Sequence, residues 1–326
     1  MEPSTVIILI ISMLACLAAY LFKKVYSGRS TGGMTGAYVY SAIGCIVSAV
    51  VLLIWGGFDG FSTFTVVLGL LFGMVVSLQE IFIIKAFSSG PMAFTMVIVA
   101  CSTVFTALSG FFFFEEKLGV TQILGILTMV GSFVFAVEKK DGEKKGGFVW
   151  LLFSILAFIG SGAIGFMQKT HQCSEAHKGE LNTFLIISFA VSFIFAMGLA
   201  LITMKKEGKP LIEKDKSGRV YWLVFAIMVI SGICVAANHK LNLALADEIP
   251  SAIFFPLLTG GNLVLTTVSA LVIFKERLTK KQWIGIAFGV VSVAFLCMPT
   301  QWIFSFELKD IFELPFSYRD FINTIK

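Results

Sequence analysis

Ten apolar runs, each about as long as a bilayer is thick, leave this chain few folds to choose from. A helix needs roughly 20 apolar residues to cross a hydrocarbon core of about 30 Å. Residues 5–22, 35–55, 63–87, 91–114, 119–137, 147–168, 182–203, 220–246, 250–274 and 281–299 each approach that length. Spans three and four are joined by Ser89-Gly90-Pro91, and spans eight and nine by Glu248-Ile249-Pro250. Proline disfavours helix in the residue before it, so each joint is a break. The runs are continuous and do not alternate, which selects helices over a barrel. Charged residues make up 14% of the chain and the mean hydropathy is +0.91, whereas a soluble domain carries about 25% charge. Ten spans in 326 residues leave no room for a soluble domain. The expected fold class is an all-α, multi-pass integral membrane protein of a cell membrane, with lipid as its main partner.

Several other classes lose support. Met1-Glu2-Pro3-Ser4 offers no basic region and no cleavage site follows, so the first span is expected to be a permanent helix. Cys16, Cys45, Cys101, Cys234 and Cys297 fall inside spans and read as small packing residues; only Cys173 lies in a loop, so no disulfide framework is expected. The net charge of +5 comes from short loop runs, and no nucleic-acid partner is expected. Eighteen Lys and Arg lie after odd-numbered spans, among them Lys23, Lys24, Arg29 and Lys85, against seven on the other side. By the positive-inside rule the odd-numbered loops face the cytoplasm and the termini face out.

The most specific signal is self-similarity. Residues 114–135 (FEEKLGVTQILGILTMVGSFVF) and 274–295 (FKERLTKKQWIGIAFGVVSVAF) agree at nine of 22 positions without a gap, including Glu116/Glu276, Gln122/Gln282, Gly125/Gly285 and Ser132/Ser292. Pro91/Pro250 and Ala93/Ala252 keep nearly the same offset. The chain therefore divides into residues 1–140, residues 141–300 and an amphipathic aromatic tail, 301–326, expected to lie on the membrane surface. Five spans per half is an odd number, so the second half crosses in the opposite sense. The expectation is a pair of inverted five-helix repeats, an architecture of secondary transporters with the substrate path between halves.

The two F-x-E-x-L blocks, Phe114-Glu115-Glu116-Lys117-Leu118 and Phe274-Lys275-Glu276-Arg277-Leu278, each precede a Gly-containing helix. Together with the Ala-containing helix ends before Pro91 and Pro250, they make the chain resemble the drug/metabolite transporter superfamily, in particular its ten-helix EamA-type members. The resemblance covers roughly 300 residues. It implies transport of amino acids, nucleotide sugars, other metabolites or drugs, usually by export or exchange coupled to protons or a counter-solute. It also implies cytoplasmic termini, against the charge count, and that conflict stays open here.

Ionisable groups inside a span are costly and point to function. They concentrate in two spans that are equivalent in the two halves: Gln79 and Glu80 in the third, Asn238, His239, Lys240 and Asn242 in the eighth. Glu80 aligns with His239 or Lys240, depending on a one-residue gap. At 1.5 Å per residue, Glu80 and His239 sit off the middle of their spans in opposite senses, roughly 16 Å apart along the membrane normal. They read as two stations on one path and not as an ion pair. Glu80 is a candidate for a cationic substrate group or a coupling proton. Asn238, His239 and Asn242 share a helical face and are candidates for polar substrate groups, and His side chains ordinarily titrate near neutral pH. Lys240 points away and is expected to snorkel.

Glu116 and Glu276, in tight connections beside basic residues, read as capping or interfacial residues and not as substrate contacts. Gly69, Gly73 and Ser77 form a packing stripe, and Gly260-Gly261-Asn262 is expected to loosen its helix. His171-Gln172-Cys173-Ser174-Glu175-Ala176-His177 matches no zinc spacing and reads as a solvated loop.

The expected function is a secondary transporter of a small polar, amino-acid-like metabolite, working by alternating access with proton-coupled export or exchange. Nucleotide-sugar or drug transport on the same fold is the alternative. A membrane-embedded enzyme or a non-transporting scaffold are the rival classes. No enzyme activity, cofactor or metal is expected, and a homodimer is left open.

Overall fold

The computed structural model describes residues 3–29, 33–105, 120–136, 147–172, 174, 178–208, 221–248, 251–276 and 280–298, and every regular element among them is helical. In chain order these are α1 (Pro3–Arg29), α2 (Gly33–Gly56), α3 (Thr63–Ser89), α4 (Met92–Ala100), α5 (Val120–Ala136), α6 (Phe148–Gln172), a 3-10 turn (Lys178–Glu180), α7 (Leu181–Glu207), α8 (Tyr221–Glu248), α9 (Ser251–Val272) and α10 (Lys280–Cys297). Six of them, α1, α2, α3, α6, α7 and α8, are long and apolar enough to cross a membrane. Shorter apolar stretches are Met92–Phe105, Leu258–Val272 and Trp283–Ser292. Glu116 and the 301–326 tail lie outside the described residues.

The outer surface of the bundle is apolar. Ile7, Ile10, Ile11 and Leu14 on α1 are all exposed, and Ile54 and Trp222 are each 82% exposed. Helices that are apolar all round belong in lipid. Trp55, Trp222 and Trp283 stand at helix ends, where aromatic side chains mark the membrane–water boundary.

Helix directions follow from contacts at helix ends. Lys24, late in α1, donates to the carbonyl of Phe87, late in α3 (3.3 Å). Trp150, early in α6, donates from Nε1 to Thr95, early in α4 (2.9 Å). His171, at the end of α6, meets Thr65, at the start of α3 (3.1 Å). The ends of α1 and α3 thus share one face of the bundle, while α6 runs the other way.

The main packings come in pairs. α2 packs on α7, and α5 on α10; α1 lies on α8 as α6 lies on α3. The contacts of α2 with α8 and of α1 with α9 likewise have counterparts in α3 with α7 and α4 with α6. The pairing reaches single atoms at two crossings. Ser192 Oγ of α7 donates to the Gly73 carbonyl of α3 (2.5 Å), and Ser48 Oγ of α2 donates to the Gly232 carbonyl of α8 (2.8 Å). A Cβ on Gly73 would collide with the Ser188 carbonyl, and one on Gly232 would stand 2.6 Å from the Gly44 carbonyl. Gly73 and Gly232 are 159 residues apart, the spacing of Pro91 and Pro250. Small residues let these backbones touch, as in other membrane helix pairs.

One expectation fails. The Gly260-Gly261-Asn262 stretch does not loosen its helix; α9 is continuous from Ser251 to Val272. Gly261 is instead where Met13 of α1 packs, with its methyl 2.6 Å from the place of a Cβ.

Gly73→Ala and Gly232→Ala should each lower stability by about 1–3 kcal/mol through overpacking. Gly198→Ala, with nothing within 4 Å of its Cβ, should change it by less than about 0.5 kcal/mol. Melting of the purified protein in detergent measures all three; equal melting temperatures would remove the close-crossing argument.

Candidate functional site

A cavity of about 230 Å³ lies at the centre of the bundle, lined from α1, α3, α6, α8, α9 and the Met92–Phe105 stretch. Gln79, Glu80, Asn238, His239 and Asn242, the five residues singled out from sequence, all line it. Thr103 and Asn262 face it at equivalent positions, as do Val99 and Leu258, and Ala100 and Thr259; each pair is again 159 residues apart. That register aligns Glu80 with His239 and leaves Lys240 outside the cavity, where its Nζ donates to Asn182 Oδ1 (2.8 Å).

The dominant interaction is one the apolar pattern hid. Lys23 is not a loop charge: α1 continues to Arg29, and Lys23 Nζ meets Glu80 Oε1 at 2.6 Å. Both side chains are buried, at 5% and 9% exposure. Two charges cut off from water are tolerable only as a pair, because either one alone would keep its full desolvation cost. Lys23 Nζ also lies over the Tyr20 ring, 5.3 Å from its centre, and both residues line the cavity. The signal available in sequence was Glu80 itself, since a carboxylate deep in a span calls for a cation within reach.

The remaining polar groups form hydrogen-bonded pairs between helices. Gln79 Nε2 of α3 donates to Ser161 Oγ of α6 (2.9 Å). Its counterpart, Asn238 Nδ2 of α8, donates to Ser12 Oγ of α1 (3.1 Å) and to the Ser12 carbonyl (3.0 Å). Ser12 Oγ in turn donates to Asn242 Oδ1 (2.5 Å). His239 Nδ1 is 3.3 Å from Gln168 Nε2, with its ring edge-on to Phe189. Ser12, Ser161 and Gln168 were not singled out from sequence; serine and glutamine inside apolar runs carry no distinguishing pattern until their partners are known.

A second charged group joins elements distant in sequence at the face where α1 and α3 end. Glu276, in the α9–α10 connection, accepts from the backbone N–H groups of Met92 (2.9 Å) and Ala93 (3.2 Å). It also pairs with Lys24 Nζ at 3.1 Å. The first N–H groups of a helix have no partner within it and favour negative charge. The N-cap residue of α4, Pro91, contributes no side-chain hydrogen bond, so the carboxylate arrives from the other half of the chain. Lys275 has φ +51°, a left-handed conformation that L-residues adopt only at a cost; in the same turn, Glu276 N donates back to the Ala270 carbonyl (3.1 Å). Beneath this latch, Tyr20, Phe87, Met92 and Met96 form an apolar layer.

His171 does not sit in a solvated loop. It is the penultimate residue of α6, fully buried, with Phe184 stacked 4.5 Å away and Thr65 Oγ1 3.1 Å from its Nε2. Cys173, Glu175, Ala176 and His177 lie outside the described residues. No group of three metal-ligating side chains occurs among the described residues.

Fold and cavity together define a multi-pass helical membrane protein with a polar chamber inside it. No family model matches the chain. It is 24% identical over 193 residues to an uncharacterised protein of Haemophilus influenzae, covering 57% of this chain and 60% of that one. It is 27% identical over 116 residues to a protein of Hamiltonella defensa described as a probable 4-amino-4-deoxy-L-arabinose-phosphoundecaprenol flippase subunit ArnE; the match covers 96% of that protein and 36% of this chain. A crystal structure covering 90% of this chain superposes with a TM-score of 0.56 at 16% identity, which establishes a shared fold.

Lys23→Met should destabilise the protein by about 3–5 kcal/mol by stranding Glu80, and adding Glu80→Gln should recover most of that loss. Unfolding of the single and double variants in detergent checks this; no recovery in the double variant would mean that the two charges are not coupled.

Proposed function

We propose that the protein is a secondary transporter built from two inverted five-helix repeats, carrying a small polar, amino-acid-like solute by alternating access. The observation that carries this reading is the central cavity, lined by three helix segments from each half and holding one buried ion pair. The paired helix contacts, the recurring 159-residue register and the opposite directions of α1 and α6 support the repeat. Such repeats place substrate sites at the interface between halves. The groups present bind and neutralise; on this reading the protein is a carrier and not an enzyme.

The ion pair suggests how a proton and a solute would be coupled. With Glu80 ionised, Lys23 is satisfied and the chamber is neutral. A proton on Glu80 frees Lys23 to take the solute carboxylate, and the one charge then left over in the chamber is that of the solute ammonium. Proton and carboxylate therefore compensate each other, and either one alone leaves a further charge uncompensated in a region where that is expensive. The Lys24–Glu276 latch and the apolar layer under it lie toward the face of the odd-numbered loops. Without Lys23 and Lys24, that face still holds 16 basic residues against seven, so the charge rule still assigns it to the cytoplasm.

A second reading rests on the relative's name: movement of an amino-sugar headgroup linked to a lipid phosphate, with Lys23 as the phosphate partner. The two readings separate in purified liposomes, where one moves a water-soluble solute and the other a lipid-linked one.

Amino acids that raise the melting temperature in detergent should also be moved by proteoliposomes under a pH gradient. Glu80→Gln should still bind the solute but lose at least tenfold of the pH-driven component. Full pH-driven transport by Glu80→Gln would remove the proton role. Glu276→Ala should leave solute binding unchanged and alter transport rate, since it touches the latch and not the chamber.

A further inference from the structure

Several polar groups of the chamber are spent on one another. Lys23 and Glu80 are paired. Asn238 Nδ2 donates to Ser12, Ser12 donates to Asn242 Oδ1, and Asn242 Nδ2 donates back to Asn238 Oδ1 at 3.4 Å, so this trio closes on itself. His239 differs. Its Nδ1 is bonded to Gln168 Nε2 at 3.3 Å, while its Nε2 has no hydrogen-bond partner among the described residues. The imidazole is half-buried and lines the cavity. Its Nε2 is not among the polar atoms that are enclosed without a partner, so this atom keeps free surface beside the chamber.

The bond to Gln168 decides what Nε2 can do. An amide nitrogen only donates, so Nδ1 accepts and the proton of the neutral ring is on Nε2. Phe189 holds the ring from another side, edge-on with 5.3 Å between centres. His239 thus presents an N–H donor that is fixed in place. It stands away from the ion pair. Lys23 and Glu80 are late in α1 and α3, which end on one face, whereas Gln168 is late in α6, which runs the other way. The repeat reading agrees. Ser12 and Ser161, the serines that hold Asn238 and Gln79, are 149 residues apart, as are Lys23 and Gln172. Gln172 and His239, both lining the cavity, therefore stand where the other half has Lys23 and Glu80.

We infer that His239 is a specificity-determining residue, whose Nε2–H donates to an oxygen of the transported solute other than the carboxylate held by Lys23. The inference rests on the carrier reading and deepens it. It narrows the solute class to amino-acid-like molecules with a second oxygen acceptor, such as a hydroxyl or a side-chain amide. Lys23 and His239 border one cavity of about 230 Å³, so a single small solute meets both. A solute with a methyl group at the second place would displace water from Nε2 and leave the donor unpaired. Sites built to hydrogen-bond a polar group discriminate strongly against analogues that lack it for this reason.

Two measurements test this, and the first needs no solute. Nitrogen-15 NMR of the purified protein, labelled at its three histidines, reports which ring nitrogen carries the proton at mildly alkaline pH, where imidazole is ordinarily neutral. The His239 signal is the one missing from His239→Asn and His239→Gln. The Nε2–H tautomer is expected, and the Nδ1–H tautomer would overturn the inference. The second measurement is thermal stabilisation by near-isosteric pairs: L-threonine against L-valine, L-asparagine against L-leucine, and L-glutamine against L-methionine. The native protein should respond to the oxygen-bearing member of at least one pair at a concentration lower by about tenfold or more. His239→Asn keeps an acceptor for Gln168 at the place of Nδ1 but has no donor at the place of Nε2, and it should erase the preference. His239→Gln, whose amide reaches the place of Nε2, should retain it. No preference in the native protein, undiminished preference in His239→Asn, or equal loss in both variants would each overturn the inference. Failure of the proteoliposomes to move any solute would instead count against the carrier reading, and the tautomer would still decide whether His239 holds a donor beside the chamber.

Discussion

A charge enclosed among apolar helices persists only if its opposite is enclosed with it, and in this chain that condition is met by Lys23 and Glu80 at 2.6 Å. Much of the interior is arranged around the pair. It fixes the facing surfaces of α1 and α3, and it sets one wall of the chamber. Because the pair is neutral as a whole, the chamber can be polar without carrying net charge. Around it, helix-to-helix polar contacts in the chamber wall join an amide to a hydroxyl, to a backbone carbonyl or to an imidazole. These contacts satisfy groups that lipid cannot.

Close approach of helices makes the chamber possible. Gly73 and Gly232 let α7 and α2 lie against the backbones of α3 and α8, the same helices that present Gln79, Glu80, Asn238 and His239 on a neighbouring face. The stripe of small residues and the polar face are thus two sides of one design: one face anchors the helix tightly, so the other can hold its side chains in fixed positions. The latch at Glu276 extends this logic to the ends. A helix broken by Pro91 begins inside the bundle with unpaired N–H groups, and a carboxylate from the other half satisfies them.

Much of this was legible in the residues. Apolar runs marked the helices, and Glu80, Gln79, Asn238, His239 and Asn242 stood out because polar groups in such runs need a reason. All five line one chamber. What was not legible has a common cause. Lys23 sits where an apolar run ends, and only the continuation of α1 to Arg29 turns a loop charge into an interior one. Glu276 was readable as a cap, but the helix that it caps begins 184 residues earlier, and no local pattern encodes a partner so distant. His171 was assigned to a loop because its neighbours are polar, whereas Phe64, 107 residues earlier, and Phe184 of the next α-helix enclose it.

On the reading of two repeats, the halves of the chain share a pattern of helix contacts and differ in charge, and that difference carries the functional argument. The register that superposes Gly73 on Gly232 and Gln79 on Asn238 also superposes Glu80 on His239 and Thr103 on Asn262. Gly73 and Gly232 keep one residue type and Gln79 and Asn238 keep an amide, while Glu80/His239 and Thr103/Asn262 differ. A fully symmetric chamber would have offered two ion pairs or none, and it would have read both ends of a solute in the same way. Here one half presents charge and the other presents neutral amides and an imidazole. A solute with chemically distinct ends has one favourable orientation in such a chamber. On the carrier reading that orientation, and not the scaffold, is what gives the transport path its chemistry.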